Sequence, residues 1–333
     1  MKRWLGYLLK TLAAILGLLI AAILFFTVQA NLRETKTRHE AAPSTGRFVQ
    51  AGDVELFIQE MGSSTNGQVI LFIHGTAAWS GLWRETMTPL AEAGYHCIAI
   101  DIPPFGFSER PSTPSYGNAA QAKRIVALMD ALKIEHAILF GHSFGGGATL
   151  ETALMIPDRI DALILEDVGG LNLNIRPAPE NQGTSTVGLF LETPAVRNPV
   201  LSTTATNPLF TKTLISAMIL DPADATEEKI KILQEPLVLK GATNTLGDWL
   251  QAVLGPQEIS LTSETSNYQT LTMPALIVWG DSDTVIPLEE GQNLQSIMPN
   301  AELVVMKGVN HIPHVEDLDA LMKIVLGFLK FPR

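Results

Sequence analysis

The sequence predicts an α/β domain on a mostly parallel, doubly wound sheet of about eight strands, with a helical insertion and an apolar N-terminal helix. Three observations predict it. Short apolar runs rich in β-branched and aromatic residues recur at 69–73, 97–100, 137–140, 162–165, 275–279 and 303–306, the pattern of strands buried on both faces. Helical patterns occupy 82–93, 119–132, 146–155, 289–297 and 315–329, and such alternation of strand and helix implies parallel pairing with helices on both sides. The alternation stops between residues 170 and 271, where Pro, Thr and Asn surround amphipathic stretches at 210–219 and 227–233. That interval is too long for a loop in a compact domain.

Taken in order, residues 1–30 form a transmembrane anchor or signal segment and 31–46 a polar linker. Residues 47–170 and 272–333 form the core, and 171–271 a helical lid over the sheet's carboxyl edge. The core opens with two short strands, 47–51 and 54–59, joined at Gly52-Asp53 as an antiparallel hairpin.

The chain has 333 residues, 46% hydrophobic and 17% charged, with a formal net charge of −11. Beyond residue 40 the balance is 17 Lys+Arg against 32 Asp+Glu. So acidic a surface repels phosphate backbones and excludes nucleic acid as a partner. Cys97 is the only cysteine, which excludes an internal disulfide and a multi-thiolate metal site, and its apolar surroundings make it a buried small hydrophobe. No metal-ligand spacing and no phosphate-binding glycine loop is present, so neither metal nor cofactor is expected.

The N-terminal stretch from Trp4 to Val28 is apolar apart from Lys10 and a few small polar residues, long enough to cross the hydrocarbon core. Lys10 can snorkel, and Trp4 and Tyr7 suit the interface. Lys2, Arg3 and the small-residue site Val28-Gln29-Ala30 resemble a secretory signal. The length of the apolar run favours a retained single-pass anchor with the catalytic domain outside the cytoplasm; cleavage would give a secreted or periplasmic protein.

The strongest chemical signal is Gly141-His142-Ser143-Phe144-Gly145, between a predicted strand and a predicted helix. This is a G-x-S-x-G nucleophile elbow in its required context, with Gly141 and Gly145 supplying the small residues such a turn needs. With this motif the chain resembles the α/β-hydrolase fold family over about residues 47 to 330, most closely its lidded esterases and lipases. The resemblance implies an acid and then a histidine after later strands. Asp281 and Asp283 compete in Trp279-Gly280-Asp281-Ser282-Asp283-Thr284-Val285-Ile286-Pro287; the family places the acid four residues before the proline, which selects Asp283 and leaves Asp281 to shape the turn. In Gly308-Val309-Asn310-His311-Ile312-Pro313-His314, a glycine three before and a glutamate, Glu316, five after select His311 over His314, which becomes a lid or supporting residue.

The oxyanion donors expected are the amide of Phe144, next to the nucleophile, and that of Thr76 in His74-Gly75-Thr76, which matches the family's His-Gly pair. His74 and Gly75 support that loop. Residues 101–108 resemble the family's Asp-x-x-Gly-x-Gly-x-Ser loop, with Pro104 in place of the first glycine, which implies a stiffer loop. His39, His96 and His136 carry no partner signature.

A serine at the elbow, where epoxide- and halide-processing relatives carry aspartate, points to acyl transfer. Hydrolysis of a hydrophobic carboxylic ester through an acyl-enzyme is the first reading. Carbon-carbon, amide or peptide hydrolysis and cofactor-free perhydrolysis share the same residues, and an inactive membrane-anchored binding protein would lack one of them. Phe190, Leu191, Phe210, Leu214, Met218, Leu220, Leu237 and Trp249 are the apolar lid residues available to line an acyl pocket, and Arg176 and Arg197 leave a carboxylate substrate open.

Overall fold

The computed structural model describes residues 2–63, 67–169, 171, 190, 192–254 and 260–330. Among them one sheet is formed by β1 (Gly46–Ala51), β2 (Val54–Met61), β3 (Val69–Ile73), β4 (His96–Ile100), β5 (Ala137–His142), β6 (Ile160–Glu166), β7 (Ala275–Gly280) and β8 (Ala301–Met306). The order is β1-β2-β4-β3-β5-β6-β7-β8. Strands β1/β2 and β2/β4 pair antiparallel and every other neighbour parallel. This is the mostly parallel, eight-stranded sheet that the sequence predicts.

Helices α1 (Lys2–Arg33), α2 (Arg38–Ala41), α3 (Arg84–Glu92), α4 (Asn118–Ala131) and α5 (Phe144–Met155) come first. The insertion expected as a lid, called the lid below, follows with α6 (Pro194–Thr203), α7 (Thr211–Ser216), α8 (Glu227–Gln234) and α9 (Ala242–Leu254); α10 (Leu288–Ile297), α11 (Pro313–Glu316) and α12 (Leu318–Lys330) come last. Alternate residues of β3 feed two layers, which is why its sequence is apolar without interruption. Ile70 and Phe72 pack with Trp83, Met87, Cys97 and the Leu321/Val325 face of α12. Leu71 and Ile73 pack with Ile125, Leu128, Ala148 and Leu150 of α4 and α5. Both layers exclude water, and burial of this kind contributes roughly 25 cal/mol per Å² of apolar surface.

Two segments differ from the sequence reading. The single C-terminal helix expected from residue 315 is split, because Asp317 leaves the helical region (φ −145°, ψ 74°) and its side chain accepts the Ala320 N–H, capping α12. Residues 31–46 are not a bare linker. Arg33 donates to the Leu237 carbonyl (2.9 Å), Glu34 accepts from Thr243 N–H (3.1 Å), and α2 begins with a capping box of Thr37 and Glu40.

α1 meets the lid along one stripe. Residues 7–21 are exposed on every side, whereas 22, 23, 26, 27, 30 and 33 are half or fully buried, the i, i+4 spacing of a helix with one docked face. Thr27 and Ser202 of α6 share a hydrogen bond of 3.2 Å there. The segment Tyr7–Arg33 is the one described helix long and apolar enough to cross a membrane.

Among its described residues, the lid is held together by charge at one point. Arg197 of α6 is fully buried and pairs with Asp248 of α9 at 2.7 Å, so this guanidinium, left open for a substrate carboxylate on sequence grounds, is engaged inside the lid. Arg176 and Leu191 lie outside the described residues. Removing the carboxylate takes the Asp248 charge away from a buried guanidinium. Asp248→Ala is expected to destabilise the folded chain by on the order of 3 kcal/mol in urea unfolding of the detergent-solubilised protein, with the lid the first region to gain protease sensitivity.

Candidate active site

Ser143 stands between β5 and α5 in a left-handed conformation, φ 49° and ψ −123°, a strained placement for a side-chain-bearing residue. The surrounding packing imposes it. The Ser143 N–H donates to the Glu166 carbonyl (3.0 Å), and the Ser143 carbonyl accepts N–H groups from Gly146 (2.9 Å) and Gly169 (3.0 Å). A methyl group at Gly145 falls 2.5 Å from the carbonyl oxygens of both Ile73 and His74, and one at Gly141 falls 2.2 Å from the Thr149 hydroxyl. Only glycine permits the close strand-to-helix approach that pushes Ser143 out at the carboxyl end of β5.

The structure brings Ser143, His311 and Asp283 together. His311 Nε2 lies 2.9 Å from Ser143 Oγ, and His311 Nδ1 lies 2.9 Å from Asp283 Oδ2. The side chains of His311 and Asp283 are all but closed to solvent, at 3% and 0% exposure. Asp283 Oδ1 accepts the N–H groups of Val285 (2.7 Å) and Ile286 (2.9 Å). Burial alone pushes the Asp283 carboxyl up, but the hydrogen bond and charge of His311 and these two amides more than offset it and hold the group below the ordinary aspartate value. Asp281 stays outside: it is exposed and accepts from Gly308 N–H (2.9 Å) and the Ser282 hydroxyl (2.8 Å), shaping the turn.

On the other side of Ser143, the loop after β3 carries His74, Gly75 and Thr76. Among the described residues, the amides of Thr76 and Phe144 have no internal partner. Gly75 lies so close that an added methyl would sit 2.7 Å from His142 Nδ1 and 3.0 Å from Ser143 Cβ. His74 braces the loop: its Nε2 accepts the Ile102 N–H (3.0 Å), and its Nδ1 donates to the Gly75 carbonyl (2.8 Å). Burial lowers its pKa to about 4, so the ring is neutral. The loop at 101–108 is buried; Asp101 takes the amides of Ser80 (2.6 Å) and Phe107 (2.7 Å).

Several supporting groups escape a reading by motif. His142, inside the elbow, donates from Nε2 to the His311 carbonyl (2.8 Å), and burial beside the rings of His314 and His311 pushes its pKa well below the ordinary value. His314 is not in the lid. It is buried, pairs with Glu166 through Nδ1 (2.8 Å) and its own amide (2.8 Å), and stacks on Trp83 at 4.2 Å. Glu316 collects the amides of Asn310 (3.0 Å), Ile312 (3.0 Å) and Leu220 (2.7 Å), tying the histidine loop to the lid. The His311 amide donates to the Met218 carbonyl in the lid at 3.0 Å.

Of the other apolar lid residues, Trp249 packs edge-on against Phe144 (5.6 Å) and Phe105 (5.2 Å), while Phe210, Leu214 and Leu220 are exposed. Phe190 and Leu237 are half-buried. His39, His96 and His136 lie 3.3–3.5 Å from Glu55, Glu60 and Asp161.

Two trios have ligand-type atoms within 4.8 Å of one another: His142, Glu166 and His314, and Asp167, Asp283 and His311. The hydrogen bonds just described already engage the nitrogens of His314 and His311 that face carboxylates. A cavity of about 660 Å³ at the amino ends of β7 and β8 lies on the edge of the sheet away from Ser143.

Comparison with known proteins gives the family and the fold. The profile of a family described as alpha/beta hydrolase fold matches residues 68–318. A 2-hydroxy-6-oxononadienedioate/2-hydroxy-6-oxononatrienedioate hydrolase of Comamonas testosteroni is 27% identical over 300 residues, covering 86% of this chain and 96% of that protein. An uncharacterized protein of Mycobacterium tuberculosis is 29% identical over 312 residues, covering 90% of this chain and 84% of its own length. Among solved structures, a membrane phospholipase A described as a bacterial virulence factor superposes with a TM-score of 0.68 at 24% identity, covering 99% of this chain and 98% of its own. At that identity the likeness is one of fold.

Two outcomes follow from the site. Glu316→Ala releases three amides around His311; since a misplacement of about 1 Å can cost roughly 10²-fold, turnover is expected to fall 10- to 100-fold while the circular dichroism spectrum stays unchanged. His74 is neutral in the fold but charges near pH 6.5 when unfolded, so its contribution is complete above pH 6.5 and is lost as the pH falls toward 4. That loss is on the order of 3 kcal/mol. Asp101, raised to about 7 by burial, acts in the opposite sense over the same window. Melting curves of the parent and His74→Asn between pH 7 and 4 isolate the histidine: the acid-side loss is expected to be smaller in the variant.

Proposed function

The chain belongs to the α/β-hydrolase fold family, and on that premise we propose that it is a membrane-anchored serine hydrolase cleaving carboxylic esters of apolar, lipid-like substrates. The observation that carries the reading is the continuous line from Ser143 Oγ through the His311 ring to Asp283, with 2.9 Å at each step. A neutral hydroxyl is a poor nucleophile. With Nδ1–H donating to Asp283, His311 presents a bare Nε2 that takes the Ser143 proton as Oγ attacks the acyl carbon, then returns it to the leaving alkoxide. The negative oxygen of the tetrahedral intermediate falls to the amides of Thr76 and Phe144, preorganised donors in a site shielded from water. Water then repeats the sequence and frees the acid and Ser143.

The membrane part rests on α1. Its docked stripe begins at residue 22, so about 20 helical residues precede it, roughly 30 Å at 1.5 Å per residue and the thickness of a hydrocarbon core. Docking at Thr27, Ala30 and Arg33 favours retention of the segment over cleavage after Ala30. The helix on which α1 docks, α6, also exposes Val196 and Val200, apolar surface that suits a lipid ester.

The curated relatives support a second reading, carbon-carbon bond hydrolysis, which uses the same three residues. The Comamonas testosteroni relative is named for dioates, whose carboxylates call for cationic partners; Arg197 is engaged by Asp248. The test is hydrolysis of a chain-length series of p-nitrophenyl esters and of phospholipid vesicles by the full chain, alongside fluorophosphonate labelling. The expected result is ester turnover and labelling, both lost in Ser143→Ala, with vesicle hydrolysis falling at least tenfold when residues 1–30 are removed. Labelling at Ser143 without ester turnover, together with cleavage of a vinylogous 1,5-diketone, transfers the assignment to carbon-carbon bonds.

A further inference from the structure

Asp167, immediately after β6, is fully buried and used by none of the steps above, yet it faces the reacting line. Its backbone is left-handed, φ 43°, a conformation that Asp and Asn tolerate better than other side-chain-bearing residues. Its Oδ1 accepts the Gly280 N–H at 3.0 Å, while Oδ2 is sealed from solvent without a hydrogen-bond partner. A bare carboxylate oxygen left that way is strongly destabilising. The Asp283 carboxylate and the His311 ring lie within 4.8 Å.

The lone pairs of Asp283 decide what the contact is. Oδ1 is filled by the amides of Val285 and Ile286, and Oδ2 takes Nδ1–H of His311. A carboxylate has about four acceptor sites, so one is left. We propose that Asp167 holds a proton and donates it to this remaining site of Asp283, acting as a positioning residue that fixes the carboxylate orienting His311. The inference rests on the reading of Ser143, His311 and Asp283 as a catalytic line.

The surroundings of Asp167 agree. The titratable groups around it are Glu166, Asp283 and His311, and no Lys or Arg forms an ion pair with it among the described residues. Glu166 is occupied by the amide and ring of His314. Burial and the neighbouring charge of Glu166 raise the Asp167 pKa well above the ordinary value, so the proton stays at neutral pH. Held so, Asp167 leaves a single negative charge at His311 and a hydrogen bond that resists rotation of Asp283. As the pH rises through its raised pKa, a second charge appears beside Asp283, the two carboxylates repel, and the bond is lost.

The test compares the full-length parent with Asp167→Asn and Asp167→Ala. The asparagine amide reproduces both the donor to Asp283 and the acceptor for Gly280, so Asp167→Asn is expected to keep kcat within about threefold of the parent. Asp167→Ala, without the donor, should lose about tenfold or more in kcat at unchanged KM. The parent's alkaline pH profile should contain an ionisation that is missing in Asp167→Asn, and the parent-minus-Asn infrared difference spectrum at pH 7 should contain the carbonyl band of a protonated carboxylic acid. A carboxylate band there, or a drop in Asp167→Asn equal to that in Asp167→Ala, overturns the inference. The infrared reading needs no turnover, so it separates failure of this proposal from failure of the hydrolase reading. Should Asp167→Ala not fold, the near-isosteric asparagine variant still decides.

Discussion

The site depends on one constraint: a side-chain-bearing residue held at φ 49° in the turn from β5 to α5. The strain persists because backbone bonds from Glu166, Gly146 and Gly169 fix Ser143 on both sides, and because glycines at 141 and 145 let α5 approach β3 and β5 more closely than a Cβ allows. The same approach brings the Phe144 amide, at the first turn of α5, next to Ser143. The nucleophile and one oxyanion donor of the proposed reaction are thus set by a single turn of the chain, at the edge where β4 and β5 diverge on either side of β3.

Around that fixed point the histidine loop is suspended from three directions. His142 holds the His311 carbonyl from beneath, Glu316 gathers the amides on either side, and Met218 of the lid takes the His311 amide. The inserted segment is therefore part of what positions the ring. Through Thr27, Arg33 and Glu34 it is also the surface on which α1 docks. A displacement of α1 relative to the domain passes by contiguous contacts to the lid, and from the lid to His311.

Much of this was legible in the sequence, for definite reasons. Strands buried on both faces announce themselves as continuous apolar runs, and β3 to β7 did so. The elbow is local, five residues with their flanking elements, and Asp283 and His311 were reachable because each has an ordered pattern of neighbours within five residues. What escaped was non-local or ambiguous by type. Asp167 and Glu166 look like an ordinary acidic pair after a strand; their importance comes from strands β6 and β7 lying side by side, which places Asp167 at Gly280 and Asp283. His314 could not be separated from the lid without the Trp83 stack beneath it. Arg197 read as an available cation because its partner, Asp248, is 51 residues away in the chain. The split before α12 hinged on one capping aspartate inside an amphipathic pattern that periodicity alone carries straight through.

The central claim is that Ser143 carries the acyl group of a lipid ester during turnover, and trapping that species tests it most directly. The full-length protein is mixed with phosphatidylcholine vesicles bearing a single defined acyl chain, quenched in acid within the first turnovers, digested and analysed by mass spectrometry. The account predicts that the peptide containing Ser143 gains the mass of that acyl chain, and that the adduct is absent from His311→Ala. Steady lipid turnover with an unmodified Ser143 peptide, or an adduct on another residue, contradicts it.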